Sequence, residues 1–248
     1  MTNKSTNKLR GKMQLLSVDN PKTRKGEKHG YLSLILHLAP ALLSGFNVCP
    51  RSTPGCRAAC LNTAGKGGIF PSIQHARIRK TRMLFEQRAV FMAQLIREIA
   101  YALTLAKSLG LILCVRLNGT SDILWELIQV ADINGKQQSI MDIFPEVQFY
   151  DYTKIPNRVP IPANYHLTFS RSETMGSDDL LKVMRTGMNV AVVFSGPLPV
   201  NYLGYPVING DEHDLRFLDP QNIIVGLKAK GRAKQDQTGF VVSPFKIL

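Results

Sequence analysis

Three of the four cysteines fall within the run Cys49-Pro-Arg-Ser-Thr-Pro-Gly-Cys56-Arg-Ala-Ala-Cys60. Three thiols cannot pair completely, and cysteines packed this closely in an intracellular chain are more often metal or cluster ligands than disulfides. Zinc would take a fourth ligand in a structural site or keep an open position in a catalytic one. A four-iron cluster held by three thiolates would leave one iron free for a substrate or cofactor. His75, the first histidine after the run, lies fifteen residues beyond Cys60 in sequence. Cys114, flanked by Leu111, Ile112, Leu113 and Val115, reads as a small buried hydrophobe.

A second set of residues with chemistry sits where apolar runs end. Arg116, Asn118, Ser121 and Asp122 follow one such run, Asp151 and Lys154 another, and Ser170 and Arg171 a third. Asp122 and Asp151 suit general acid or base work, and Arg171 suits a carboxylate or phosphate. Asn118, Ser121 and Ser170 offer hydrogen bonds to a bound cofactor. Asn209 to Asp214 adds a cluster of acids around His213, and Lys228 and Lys230 follow the last apolar run. No phosphate-binding loop, dinucleotide glycine fingerprint, nucleophile elbow or His-Glu-x-x-His is present.

The elements that must carry these residues alternate. Short apolar strands are expected over 31–38, 111–117, 147–152, 165–171, 189–194 and 223–227. A long helical stretch is expected over 71–109 with a break near Gln87, and shorter helices over 122–131, capped by Ser121, and over 177–186. Such alternation predicts an α/β fold with a parallel sheet. Six strands and a long tail fit a parallel, partly open (β/α)6 barrel better than a complete eight-stranded one. Ligands of such folds gather at the carboxyl ends of the strands, where the polar residues above would lie. The expected organisation is a basic flexible tail over 1–29 and one barrel-like domain over 30–248, with the metal or cluster loop at 45–68.

The chain has 248 residues, 44% hydrophobic, and a net charge of +13. Residues 1–29 hold eight Lys/Arg against two acids, 30–110 ten against two, and 111–248 thirteen against fourteen. The whole excess lies in the first 110 residues, which points to a polyanionic partner, DNA or RNA. Arg77, Arg79, Lys80 and Arg82, in a segment with helical spacing, are the expected nucleic-acid contacts. The apolar content excludes a disordered chain. The longest apolar run, interrupted by Pro40 and His37, is too short for a membrane span. The lysine-rich start has no apolar segment of an export signal behind it. The expected setting is therefore cytoplasmic, in a bacterial host cell, without a membrane partner.

The cysteine run, with Ser52-Thr53-Pro54-Gly55-Cys56 inside it, resembles a family of phage and plasmid proteins known as gene product eighty-eight. It is also similar to phage radical-SAM-like proteins in which a Ser-Pro-Gly-Cys segment precedes the last cluster cysteines. That resemblance, over roughly 32–196, implies a barrel of radical-SAM-like type and a [4Fe-4S] cluster on Cys49, Cys56 and Cys60. The cluster would present its free iron to S-adenosylmethionine. The spacing departs from the common radical-SAM motif, where three and then two residues separate the cysteines. Asn118 to Asp122 stands where that family carries a Gly-Gly-Glu segment. Three readings follow. The first is a radical-SAM-like iron–sulfur enzyme acting on nucleic acid or nucleotides. The second is a zinc-containing barrel enzyme that modifies DNA bases by exchange or hydrolysis. The third is a non-enzymatic zinc protein that binds nucleic acid.

Overall fold

The structure is a computed structural model that describes residues 9, 13–17, 25–131 and 134–244. The strands are β1 (Leu16–Ser17), β2 (Tyr31–Leu36), β3 (Ile112–Arg116), β4 (Val130–Ala131), β5 (Gln137–Gln138), β6 (Gln148–Thr153), β7 (Tyr165–Ser170), β8 (Val190–Phe194), β9 (Asn201–Tyr202), β10 (Tyr205–Asn209), β11 (Ile224–Lys228) and β12 (Val241–Val242). The helices are α1 (Pro54–Ala58), α2 (Gly65–Ile69), α3 (Pro71–Glu86), α4 (Arg88–Ser108), α5 (Ile140–Ile143) and α6 (Ser177–Arg185).

Among the described residues, ten strands form one sheet in the order β1-β2-β3-β6-β7-β8-β11-β10-β9, with β12 added beside β8, while β4 and β5 pair separately. From β2 to β10 every neighbouring pair is parallel, whereas β1 runs antiparallel to β2 and β9 to β10. The expected partly open (β/α)6 barrel is therefore corrected to a mixed α/β sheet with two free ends, since no described pairing joins β1 to β9. The crossovers explain the difference. A barrel of that type needs a helix between successive strands, but the link from β6 to β7 carries Pro156, Pro160 and Pro162 and is helix-free. Proline removes a backbone donor and clashes with the preceding turn, so a helix cannot form there. Beyond β8 the chain also adds β10 outside β11, which reverses the order at that edge.

Helix α4 lays Phe91, Leu95, Ile99 and Ala102 on one stripe, all 0% exposed, against Leu34, Val115 and Phe149 of the sheet. By length and composition α4 could cross a membrane, yet this stripe is core. Its Glu98 is buried too, and its carboxylate accepts from the backbone N–H groups of Gln14 (2.7 Å), Leu15 (3.0 Å) and Leu16 (2.9 Å). Those bonds anchor β1 on the sheet edge. Residues 13–17 are thus part of the fold rather than of a flexible tail, and Leu9 is buried as well. The rest of the expected tail before residue 25 lies outside the described residues.

Candidate active site at the carboxyl edge of the sheet

The carboxyl ends of β3, β6, β7, β8 and β11 open on a cavity of about 230 Å³. Arg116, Tyr152, Thr153, Ser170, Val193 and Lys228 are among the wall residues from those strands. The loop after β2 forms the opposite wall and supplies Cys49, Cys56 and Cys60. Backbone and side-chain bonds fix that loop. Asp122 N–H donates to the Val48 carbonyl (2.8 Å), and Cys49 Sγ lies 3.7 Å from the Thr120 carbonyl. Thr53 caps α1, where Pro54 takes the first helical position and needs no N–H. The Thr53 hydroxyl also donates to Glu173 Oε2 (2.6 Å), and Gly55 N–H donates to Glu173 Oε1 (2.7 Å). Gly55 lets this packing close in: a Cβ there would lie 2.3 Å from Thr238 Oγ1 and 2.6 Å from Glu173 Cδ, so those side chains would have to move.

The three loop thiols are free and partly buried. Burial pushes Cys49 up to about 12, and the neighbouring Cys60 and Cys56 add to the rise. Burial raises Cys56 and Cys60 as well, against the nearby Lys154 at both and Arg77 at Cys60. The same three cysteines line a second cavity of about 740 Å³ on the outer side of the loop, with Leu42, Leu43, Arg57 and Arg232. The loop is thus a partition with thiols reachable from two sides. Among the described residues no three His, Cys, Asp or Glu side chains are closed on a common metal position. Cys114 takes no part: it is buried and within 3.1 Å of Ser33 Oγ.

The expected cofactor and catalytic residues divide into cavity wall and support. Asn118, Ser121, Asp122 and Ser170 line the cavity. Asn118 nevertheless spends its side chain on the loop. Its Oδ1 accepts from Ser121 Oγ (2.8 Å), Ile123 N–H (2.9 Å) and Trp125 Nε1 (3.1 Å). Those bonds hold a turn of 3-10 helix at Trp125–Leu127 where a full helix from Asp122 was expected. Asp122 Oδ2 accepts from Lys154 N–H (2.8 Å), while Oδ1 has no hydrogen bond and faces Arg158 Nη1 at 3.6 Å. Burial raises its pKa against those donors.

Asp151 is absent from the wall and 0% exposed. It accepts from Asn118 N–H (2.7 Å) and Tyr165 Oη (2.8 Å), with Arg116 Nε at 3.9 Å, beneath the cavity floor. Burial pushes it up to about 7 despite Arg116. Arg171 turns away and donates to the carbonyls of Gly239 (2.9 Å) and Phe240 (3.1 Å). It thereby straps the C-terminal segment, with Phe240, across the cavity mouth.

The basic helix does not present one face. In α3, Arg77 is buried with Thr81 and Leu84, whereas Arg79 and Arg82 are exposed. Lys80 is half-buried and donates to the Leu15 carbonyl (2.9 Å). His75 is exposed and lines neither cavity. The supports missed in the sequence are Glu173, which clamps the cysteine loop, and two buried ion pairs, Arg158 with Glu126 and Arg116 with Asp214. Glu173 has a signal of sorts, being the first carboxylate after the polar strand end Ser170-Arg171-Ser172.

A parallel-centred sheet with a cavity at its carboxyl edge places the chain in the open-sheet α/β class, in which ligands bind at that edge, and the three-thiol loop is its distinguishing part. The chain belongs to the gene product 88 family, whose model matches residues 13–244. No curated protein and no solved structure matches it.

Proposed function

We propose that this cavity is the active site of a metalloenzyme in which Cys49, Cys56 and Cys60 hold a [4Fe-4S] cluster. The observation that carries this reading is the convergence of three thiols with the carboxyl ends of five parallel strands on one cavity. The donor chemistry suits the group, since the thiols are free, share one wall and leave the fourth position without a protein thiol, Cys114 being committed elsewhere; binding would draw together three side chains that are not closed on one metal position in this structure. Such a cluster supplies one-electron reductive chemistry at its open iron, with S-adenosylmethionine as the co-substrate.

The chain's own residues do the rest. Ser121, Ser170 and the unbonded Oδ1 of Asp122 offer polar contacts within the wall. Phe240 and Leu227 provide apolar surface, and the strap held by Arg171 limits water. The reacting unit assigned here is a nucleotide, or one nucleotide taken out of a nucleic-acid strand. The basic first half of the chain, with Arg79 and Arg82 exposed, supports a nucleic-acid partner in a host-cell cytoplasm.

The test is anaerobic reconstitution followed by incubation with S-adenosylmethionine and dithionite, with and without an oligonucleotide. Release of 5′-deoxyadenosine by the native chain and its loss in Cys56→Ala support the proposal. A reconstituted protein that leaves S-adenosylmethionine intact rejects it. One tightly held zinc and no iron would move the chemistry to hydrolysis or exchange at Asp122.

A further inference from the structure

The wall of the outer cavity carries two arginines and, among the described residues, no carboxylate. Arg57 comes from α1, whereas Arg232 comes from the far end of the chain through the 3-10 turn Gly231–Gln235. That turn is seated on the cysteine loop. Arg232 N–H donates to Thr63 Oγ1 (3.3 Å), and Gly231, at φ 55°, comes so close that a Cβ would lie 2.8 Å from the Thr63 carbonyl oxygen. Neither guanidinium has a described carboxylate within ion-pair distance. Arg57 donates to the Ser52 carbonyl (2.6 Å), and the Arg232 side chain makes no described hydrogen bond. The other wall residues fall within 40–78, inside a stretch that holds no Asp or Glu between Glu27 and Glu86. The inner cavity differs in this respect, since Asp122 and Asp211 stand among its cations.

Apolar side chains stand open beside those charges. Leu42 and Leu43 line the cavity while 66% and 58% exposed, and Phe70, between the wall residues Gly68 and Gln74, is 50% exposed. Positive charge next to open apolar surface complements a polyanion that also shows apolar faces. An unpaired nucleic-acid strand shows both, with phosphates along its backbone and a base face on each nucleotide, whereas a duplex keeps its bases stacked inside. We propose that the outer cavity is a groove for single-stranded nucleic acid, with phosphates at Arg57 and Arg232 and a base against Leu42 and Leu43. The proposal rests on the nucleic-acid partner of the reading above and needs no metal. The strand lies on the outer side of the loop whose inner side faces the candidate active site. Arg79 and Arg82 line neither cavity and add only to the surrounding field.

The test is fluorescence anisotropy of labelled oligothymidylate and oligouridylate of about 12 nucleotides, the two separating DNA from RNA as the partner. The full chain, kept reduced, is titrated at several salt concentrations. Native protein is compared with Arg57→Gln, Arg232→Gln, the two combined, and Leu42→Ser combined with Leu43→Ser. Arg79→Gln and Arg185→Gln, at exposed cations outside both cavities, are the controls. Each groove arginine variant should bind about fivefold more weakly, and the combined variant should lower the log–log salt slope by about 1.4. The leucine variant should weaken binding about fivefold at an unchanged slope, while the controls stay within about twofold of native. If Arg57→Gln disturbs the loop, Arg232→Gln decides, because its side chain holds no described hydrogen bond. Native affinity and slope in the combined arginine variant would overturn the proposal, as would a larger loss in Arg79→Gln. Equally tight binding of a duplex of the same length, or displacement of the strand by an equal charge of polyglutamate, would overturn it too. A native chain that binds no oligonucleotide rejects the nucleic-acid partner as well, whereas binding indifferent to the groove variants rejects the groove alone.

Discussion

Asn118→Ala is the most informative single change to the scaffold of the site. Asn118 is 2% exposed, and its Oδ1 is the only described acceptor for Trp125 Nε1, in a tryptophan that is 0% exposed. Removing the amide strands that indole N–H in the core and also frees Ile123 N–H and Ser121 Oγ. A buried donor left unpaired costs about 1–3 kcal/mol, and each of the other lost bonds about 1 kcal/mol. The variant should therefore be destabilised by roughly 3–5 kcal/mol. Trp125 is the only tryptophan of the chain, so urea unfolding followed by its fluorescence reads the affected residue directly. The native emission should also shift to the red as water reaches the indole. A loss under about 1 kcal/mol with unchanged emission would refute the assignment of Asn118 as the hub of the strand-end loop.

Glu173→Ala removes both anchors of the cysteine loop, at Thr53 and Gly55, and should speed alkylation of Cys56 several-fold while costing about 1–2 kcal/mol of stability. Unchanged thiol reactivity would show that the loop holds itself. Arg158→Met leaves the carboxylates of Glu126 and Asp122 buried without their cation, and a loss of about 3–5 kcal/mol in urea melts is expected. Arg171→Ala releases the strap at Gly239 and Phe240, so hydrogen exchange of residues 236–242 should accelerate, whereas exchange at native rates would deny the strap its anchor. His37 is held down to about 3 by burial, with Arg77, Arg116 and Lys80 adding to the effect. At this residue the unfolded chain therefore binds more protons between about pH 3 and 6.5, so His37 makes a contribution to stability that grows with pH through that window, against the opposite contribution of Asp151, which burial raises to about 7. His37→Gln should make the pH slope of stability less positive in that window, and an unaltered slope would refute the contribution.

How much of this was legible in the sequence depends on whether local pattern or distant contact decides. The break between α3 and α4 falls at Gln87, as the periodicity indicates, because each segment carries its own buried stripe. The strands that lie inside the sheet are apolar on both faces and are equally readable. Short edge strands such as β1 and β12 carry no such pattern, since they exist only through pairing with β2 and β8. Where a helix after Asp122 was expected, Asn118 Oδ1 holds the Ile123 N–H and the Trp125 indole, and the backbone beyond closes i→i+3 bonds, Leu127 N–H to the Leu124 carbonyl and Ile128 N–H to the Trp125 carbonyl, so a 3-10 turn forms instead.

The same distinction holds for the site. The cysteine spacing is local and visible. Which polar strand-end residues face the cavity is set by the twist and order of the sheet, so Asp122 and Asp151, alike in sequence, end on the wall and beneath the floor. The four cations of α3 look like one patch when written in a row. At 100° per residue Arg77 and Arg79 point to opposite sides of the helix, and the buried stripe of Thr81 and Leu84 claims Arg77.

Whether the three thiols on the cavity wall hold a metal centre is read by iron, sulfide and zinc analysis of the anaerobically purified full chain, with the visible spectrum, for native protein and Cys49→Ala. A [4Fe-4S] centre on these thiols gives a brown protein with about four irons and four sulfides per chain, a broad visible band that bleaches on reduction, and loss of both metal and band in the variant. A colourless native protein with no iron, or iron that survives in Cys49→Ala, would contradict it.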